Sequence, residues 1–155
     1  MKKIVRIKNA KEMAAFAARY AGVLRGGDII GLVGDLGAGK TTFMQGLAAA
    51  FGVRKPVRSP TFILMQVFKC SAAVCKKSGI AQICHIDAYR LKDENELFAI
   101  GFEDYADRRD TIILIEWADR LPSVQWLDHY QEIRFAYGED GERVLTADKM
   151  PIRTD

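Results

Sequence analysis

The sequence predicts a three-layer α/β domain with a mainly parallel central sheet and antiparallel edge strands, and three observations carry that prediction. Asp28–Val33 and Thr111–Ile115 are nearly continuous apolar runs, the pattern of strands buried on both faces of a parallel sheet. Two segments, one before and one after the first of these runs, carry apolar residues at three- and four-residue steps, which is helical spacing. Near the end, Ile133, Phe135 and Tyr137 alternate with Arg134 and Ala136 before a glycine-flanked turn, which reads as a hairpin.

Taken in order, residues 3–7 form a short strand. Asn9 then caps a helix, with Glu12 three positions on to return the capping-box bond. Met13, Phe16, Ala17, Tyr20, Ala21 and Leu24 make its buried face, and Gly26-Gly27 should stop it. After the Asp28–Val33 strand comes a glycine-rich turn. The helix that follows buries Met44, Leu47, Ala48 and Phe51 and ends at Gly52. Residues 62–69 and 80–86 read as strands joined by a polar, cysteine-bearing loop, and Glu94–Ile100 as one or two helical turns. Gly138-Glu139-Asp140-Gly141 turns the chain into Arg143–Thr146.

Composition bounds the rest. The chain has 155 residues, 49% hydrophobic and 28% charged, which suits one domain spanning 1–155 with a single sizeable core. A net charge of +3 is mild, so the basic clusters at Arg54, Lys55, Arg58 and at Lys69, Lys76, Lys77 read as solvated loops. No apolar run approaches membrane-spanning length, so a cytoplasmic protein without a membrane partner is expected. Cys70, Cys75 and Cys84 are expected to be free thiols, the first two at the surface. With His85 they form a poor zinc set, because adjacent Cys and His are awkward joint ligands.

The chemistry lies in Gly34-Asp35-Leu36-Gly37-Ala38-Gly39-Lys40-Thr41, a complete G-x-x-x-x-G-K-[ST] between a buried strand and an amphipathic helix. Glycines let backbone N–H groups turn inward around phosphates. Lys40 would neutralise the β and γ phosphates, the Thr41 hydroxyl would bind Mg²⁺, and the helix N-terminus would face the same anion. The predicted fold is therefore the P-loop NTPase fold. A second magnesium ligand is expected after a neighbouring apolar strand, where Glu116 and Asp87 both fit.

The wording of these segments resembles the TsaE family, the ATPase of bacterial tRNA threonylcarbamoyladenosine synthesis. The resemblance rests on the phosphate loop with Thr42-Phe43, on Ser59-Pro60-Thr61-Phe62, and on His85-Ile86-Asp87-Ala88-Tyr89-Arg90-Leu91. Gly101-Phe102-Glu103-Asp104-Tyr105 and Ile115-Glu116-Trp117 complete the series, in order, over residues 9–120. It implies ATP and Mg²⁺ as cofactors, with Asp35, Leu36, Gly37, Ala38, Gly39, Lys40, Thr41 and Thr42 around the nucleotide. Thr41 and Glu116 would hold the metal, Asp87 would lie near the γ-phosphate, and Trp117 would pack beside the site.

The resemblance also favours Thr61 on a loop that senses the γ-phosphate, where Ser-Pro alone would only start a turn. His85 reads better as a satisfied core or surface histidine than as a functional one. The partners implied are TsaD and TsaB, which would perform the transfer, with tRNA contacted indirectly or weakly. The Lys69–Gly79 stretch is longer than the family's usual hairpin, and the tail after Pro122 matches no motif.

Two other functions fit a phosphate loop. A small-molecule kinase would need an arginine-bearing lid, and Arg90, Arg108, Arg109 and Arg120 form no recognisable one. A non-enzymatic ATP-controlled binding module would not depend on turnover. The guanine-reading Asn-Lys-x-Asp is absent.

Overall fold

The computed structural model describes residues 2–58 and 64–148. Seven strands form one sheet in the order β1-β7-β6-β2-β5-β4-β3. β2 (Ile29–Gly34), β4 (Gln82–Asp87), β5 (Thr111–Glu116) and β6 (Tyr130–Tyr137) are parallel neighbours. Antiparallel pairing occurs at both edges: β3 (Met65–Lys69) on β4, and β7 (Arg143–Ala147) between β6 and β1 (Lys3–Ile7). This is the predicted P-loop NTPase architecture. The continuous apolar runs became the interior strands because both their faces are covered.

Strand alternation divides the core in two. On one face Ile30 and Leu32 of β2 and Ile112 and Leu114 of β5 meet α1 (Ala10–Ala21) and α2 (Lys40–Ala50). There Tyr20, Phe43 and Phe16 form a ring cluster with centroids 5.6–6.0 Å apart, and Phe43 meets Phe135 edge-on. The Tyr20 hydroxyl donates to Gln131 Oε1 at 2.8 Å in the same buried space. Gly46 lets α2 lie close against α1, since a Cβ there would come within 3.0 Å of Ala14 Cα and Ala17 Cβ. On the other face Ile29, Cys84, Ile86, Ile113 and Ile115 pack on α4 (Glu94–Ala99), Phe102 and the turns at Leu121 and Val124.

Local signals were realised with some corrections. Asn9 accepts from the Glu12 amide at 2.9 Å, as a capping box requires, but Glu12 returns its bond to the Lys8 amide rather than to Asn9. α1 ends at Ala21 with Gly22 as cap, four residues before Gly26-Gly27. Leu24 is buried beyond the helix rather than within it. Gly26 instead closes the turn into β2, where the neighbouring Gly27 amide donates to the Thr111 carbonyl at 2.8 Å.

The expected cysteine-bearing loop is a helix, α3 (Ala72–Ser78), capped by Ser71 on the Val74 amide and ended by Gly79. A polar run with no long apolar stripe hid it. Cys70 and Cys75 are consequently half-buried, not surface thiols. Burial raises the Cys70 thiol to about 11, helped by neighbouring Cys75, and that of the buried Cys84 to about 12. A further short helix, α5 (Glu103–Ala106), follows Gly101. Among the described residues no helix is long and apolar enough to cross a membrane.

Candidate functional site

β2 occupies the middle of the sheet with β5 on one side and β6 on the other, so the loop at its carboxyl end opens into the crevice where α/β sheets hold ligands. The loop's backbone needs its glycines. A Cβ on Gly34 would sit 2.5 Å from the Phe135 carbonyl oxygen. Gly39, at φ 106°, caps α2 in a left-handed conformation that L side chains rarely adopt. Residues 35–37 are exposed, with Leu36 at the tip, whereas Ala38 is buried against the helices. Tyr137 braces the tip by donating its hydroxyl to the Leu36 carbonyl at 3.3 Å.

α2 starts at Lys40, whose side chain is buried. Its Nζ donates to the carbonyl oxygens of Gly34 and of Asp35, the latter at 3.1 Å, and lies 4.1 Å from the Trp117 ring centroid. Desolvation pulls this ammonium below the usual lysine range, and Glu116, Asp35, Asp119 and Asp87 pull the other way. The outcome is a cation held in a dry site by backbone oxygens and an aromatic face.

The carboxylates arrive by register. Asp87 and Glu116 are paired last residues of parallel β4 and β5, both buried. By alternation their side chains stand on the α1/α2 face, beside Lys40. Asp87 is further fixed because its Oδ1 accepts from the Tyr89 amide at 2.9 Å. Past β5 the chain turns through Trp117 at φ 58°, held by its amide on the Leu32 carbonyl at 2.9 Å. Trp117 stacks obliquely on Tyr89 with centroids 5.1 Å apart, and Arg120 lies over the other ring of that pair.

These groups border one cleft of about 440 Å³. Of the residues singled out in the sequence, Leu36, Gly37, Gly39, Lys40, Thr41, Thr42, Asp87, Glu116 and Trp117 all line it. Asp35 contributes a carbonyl to Lys40, and Ala38 faces the core. Thr61, with the rest of Ser59-Pro60-Thr61-Phe62, lies outside the described residues. Tyr89 also lines the cleft and was read only as part of a motif.

A second cavity of about 280 Å³ shares Gly37, Gly39 and Thr42 with the first and is walled by Lys8, Asn9, Met13 and Arg143. These residues come from opposite ends of the sequence, so no local spacing could announce them.

Two expectations outside the cleft are also resolved. Cys84 and His85 project to opposite faces of the sheet, which removes them as joint zinc ligands. His85 is fully buried with Nε2 3.3 Å from Glu116 Oε2, and neither ring nitrogen has a hydrogen bond of good geometry among the described residues. The expected satisfied histidine is not what the structure contains.

Chemically, the arrangement offers an anion-sized loop of backbone N–H groups, one buried cation, a hydroxyl at Thr41 and two oxygen-donor carboxylates. Polyphosphate with a hard divalent cation matches that donor set.

Comparison with known proteins identifies the family. Residues 7–145 match the family model described as "Threonylcarbamoyl adenosine biosynthesis protein TsaE". The tRNA threonylcarbamoyladenosine biosynthesis protein TsaE of Bacillus subtilis is 33% identical over 141 residues, 91% of this chain and 82% of that protein. The protein of the same name from Rickettsia typhi is 37% identical over 114 residues, 73% of this chain and 72% of that one. The crystal structure of Bacillus subtilis YdiB superposes with a TM-score of 0.72 at 26% identity, covering 95% of this chain and 84% of YdiB. With a model match running from β1 into β7 and relatives above 30% identity over most of its length, this chain belongs to the TsaE family.

Proposed function

We propose that this chain binds MgATP in the cleft and hydrolyses it slowly in support of tRNA threonylcarbamoyladenosine synthesis. It would act on a TsaD–TsaB pair that performs the transfer itself. The observation that carries the proposal is the convergence of Lys40, Thr41, Asp87 and Glu116 around the glycine loop at the end of β2. In this reading Lys40 leaves the Gly34 and Asp35 carbonyls for the β and γ phosphates, and loop amides around Gly37–Thr42 bind the remaining oxygens. Thr41 and Glu116 would hold Mg²⁺, which supplies charge neutralisation at the phosphates. Asp87 would orient the attacking water or support the metal. The second cavity, continuous with the loop through Gly37 and Thr42, would take the nucleoside, with Met13 against the base.

Slow turnover follows from the cleft wall. No arginine is among the described residues lining it, so among those residues Lys40 is the cation available to transition-state charge, beside the loop amides and the metal that Thr41 and Glu116 would hold. A partner that orders residues 59–62 or contributes a cation would raise the rate. The purified chain is expected to turn over well below the ~1–100 s⁻¹ of a dedicated kinase and to accelerate when TsaD and TsaB are added. Thr61→Ala should lower the stimulated rate more than the basal one. Rapid hydrolysis by the isolated chain, or transfer of the γ-phosphate to a metabolite, would favour the kinase alternative.

A further inference from the structure

We propose that His85 is a positioning residue for Glu116: its buried imidazole, with Nε2 3.3 Å from Glu116 Oε2, restricts the rotation of that carboxylate beside the phosphate loop. The inference rests on the metal-binding reading of Glu116 given above.

The geometry begins with register. His85 of β4 pairs with Leu114 of β5, so Glu116, two residues further along β5, is its diagonal neighbour on the same sheet face. Both side chains are buried, and Nε2 and Oε2 are 3.3 Å apart. A carboxylate oxygen accepts hydrogen bonds, so Nε2–H is the ring group that a small rotation would bring to bear on it. Before its terminal Asp87, β4 otherwise fills its buried positions with Ile83, Cys84 and Ile86, which need no polar partner. An imidazole in their midst is costly unless it is used, and Glu116 is the polar group it approaches.

The carboxylate gains more from the contact than the fold does. Asp87 is anchored locally by the Tyr89 amide, and a glutamate carries one more rotatable bond for its neighbours to restrict. A histidine behind a carboxylate ligand leaves the metal-facing oxygen in a fixed direction, which is how outer-shell partners tune a metal site. His85 need not touch nucleotide or metal to do this.

The test measures the magnesium dependence of binding of a fluorescent non-hydrolysable ATP analogue, alongside binding in EDTA and thermal melting. His85→Leu keeps the bulk and removes the donor. It should raise the half-saturating Mg²⁺ concentration by about tenfold, the lower end for loss of an outer-shell partner, with EDTA binding unchanged. His85→Gln, whose amide nitrogen reaches the Nε2 position, should restore most of the wild-type value. In a Glu116→Ala background, itself magnesium-defective, His85→Leu should add nothing.

Wild-type magnesium dependence in His85→Leu, or a shift that persists without Glu116, would overturn the positioning role. If His85→Leu fails to fold, His85→Gln against the shorter His85→Asn decides: a larger shift for Asn supports the proposal and equal shifts overturn it. Normal magnesium dependence in Glu116→Ala itself would sink the metal assignment, and this inference with it.

Discussion

Replacing Lys40 by Met separates a phosphate-binding role from a structural one, because the structure gives both sides of the balance. Nζ bonds the Gly34 and Asp35 carbonyls and lies 4.1 Å from the Trp117 ring centroid. Methionine keeps the stem over the indole but abandons two carbonyls, a loss of about 1 kcal/mol each before relaxation. Against that, a partly desolvated ammonium is removed, which offsets some of the loss. Net stability should therefore fall by less than about 2 kcal/mol, a melting shift below ~8 °C at this size.

Binding behaves differently. Exchanging two carbonyl contacts for two charge-assisted phosphate bonds is worth roughly 2–4 kcal/mol, so the variant should bind an ATP analogue about 30- to 1,000-fold more weakly. Calorimetric titration with the analogue and a melting scan on the same sample read both quantities. Affinity within threefold of wild type would refute the phosphate assignment. A melting loss beyond ~10 °C would mean that Lys40 is chiefly a strut.

Other expectations are narrower. Thr41→Ala should weaken analogue binding in magnesium more than in EDTA if the hydroxyl takes the hard-cation role proposed for it; equal loss in both would argue for a backbone effect instead. Tyr20→Phe leaves Gln131 Oε1 without its buried donor and should cost about 1–3 kcal/mol in urea unfolding, with nucleotide affinity unchanged. Because burial raises Cys70 to about 11 and Cys84 to about 12, thiolate is scarce at neutral pH and grows with alkalinity. Peptide-mapped alkylation of Cys70 should accelerate roughly tenfold per pH unit between pH 7 and 9, with Cys84 slower throughout; a plateau near pH 8 would contradict this.

Much of the fold was legible because its interior strands are extreme. Ile112–Ile115 offers no polar face, so it had to lie between two layers, and the phosphate loop then identified β2 as its neighbour. Asp87 and Glu116 were legible for the same reason, as the first acidic residues after such strands. The short helix α3 was hidden because its residues are small, polar or charged and bury little. The second cavity was hidden because Asn9 and Arg143 meet only through strand pairing at the sheet edge. His85 lies in the core, one of the two places expected for it, but sequence cannot show that its buried ring nitrogen faces a carboxylate two residues along the adjacent strand. The Thr61 expectation falls beyond the described residues.

The placement of β1 sets a timetable for synthesis. Among the described residues β1 pairs with β7 alone, and Lys3 meets Ala147, 144 positions later. At ribosomal speeds of ~5–20 residues per second, the strand made first would wait roughly 7–30 s for its partner. During that interval the α1 face can already settle on α2, since those two helices and β2 are made early. Residues 8–13 and Arg143, however, come together only when the last strand is laid down. A nascent chain would therefore hold the residues of the phosphate loop and of 8–13 long before Arg143 completed the wall beside them.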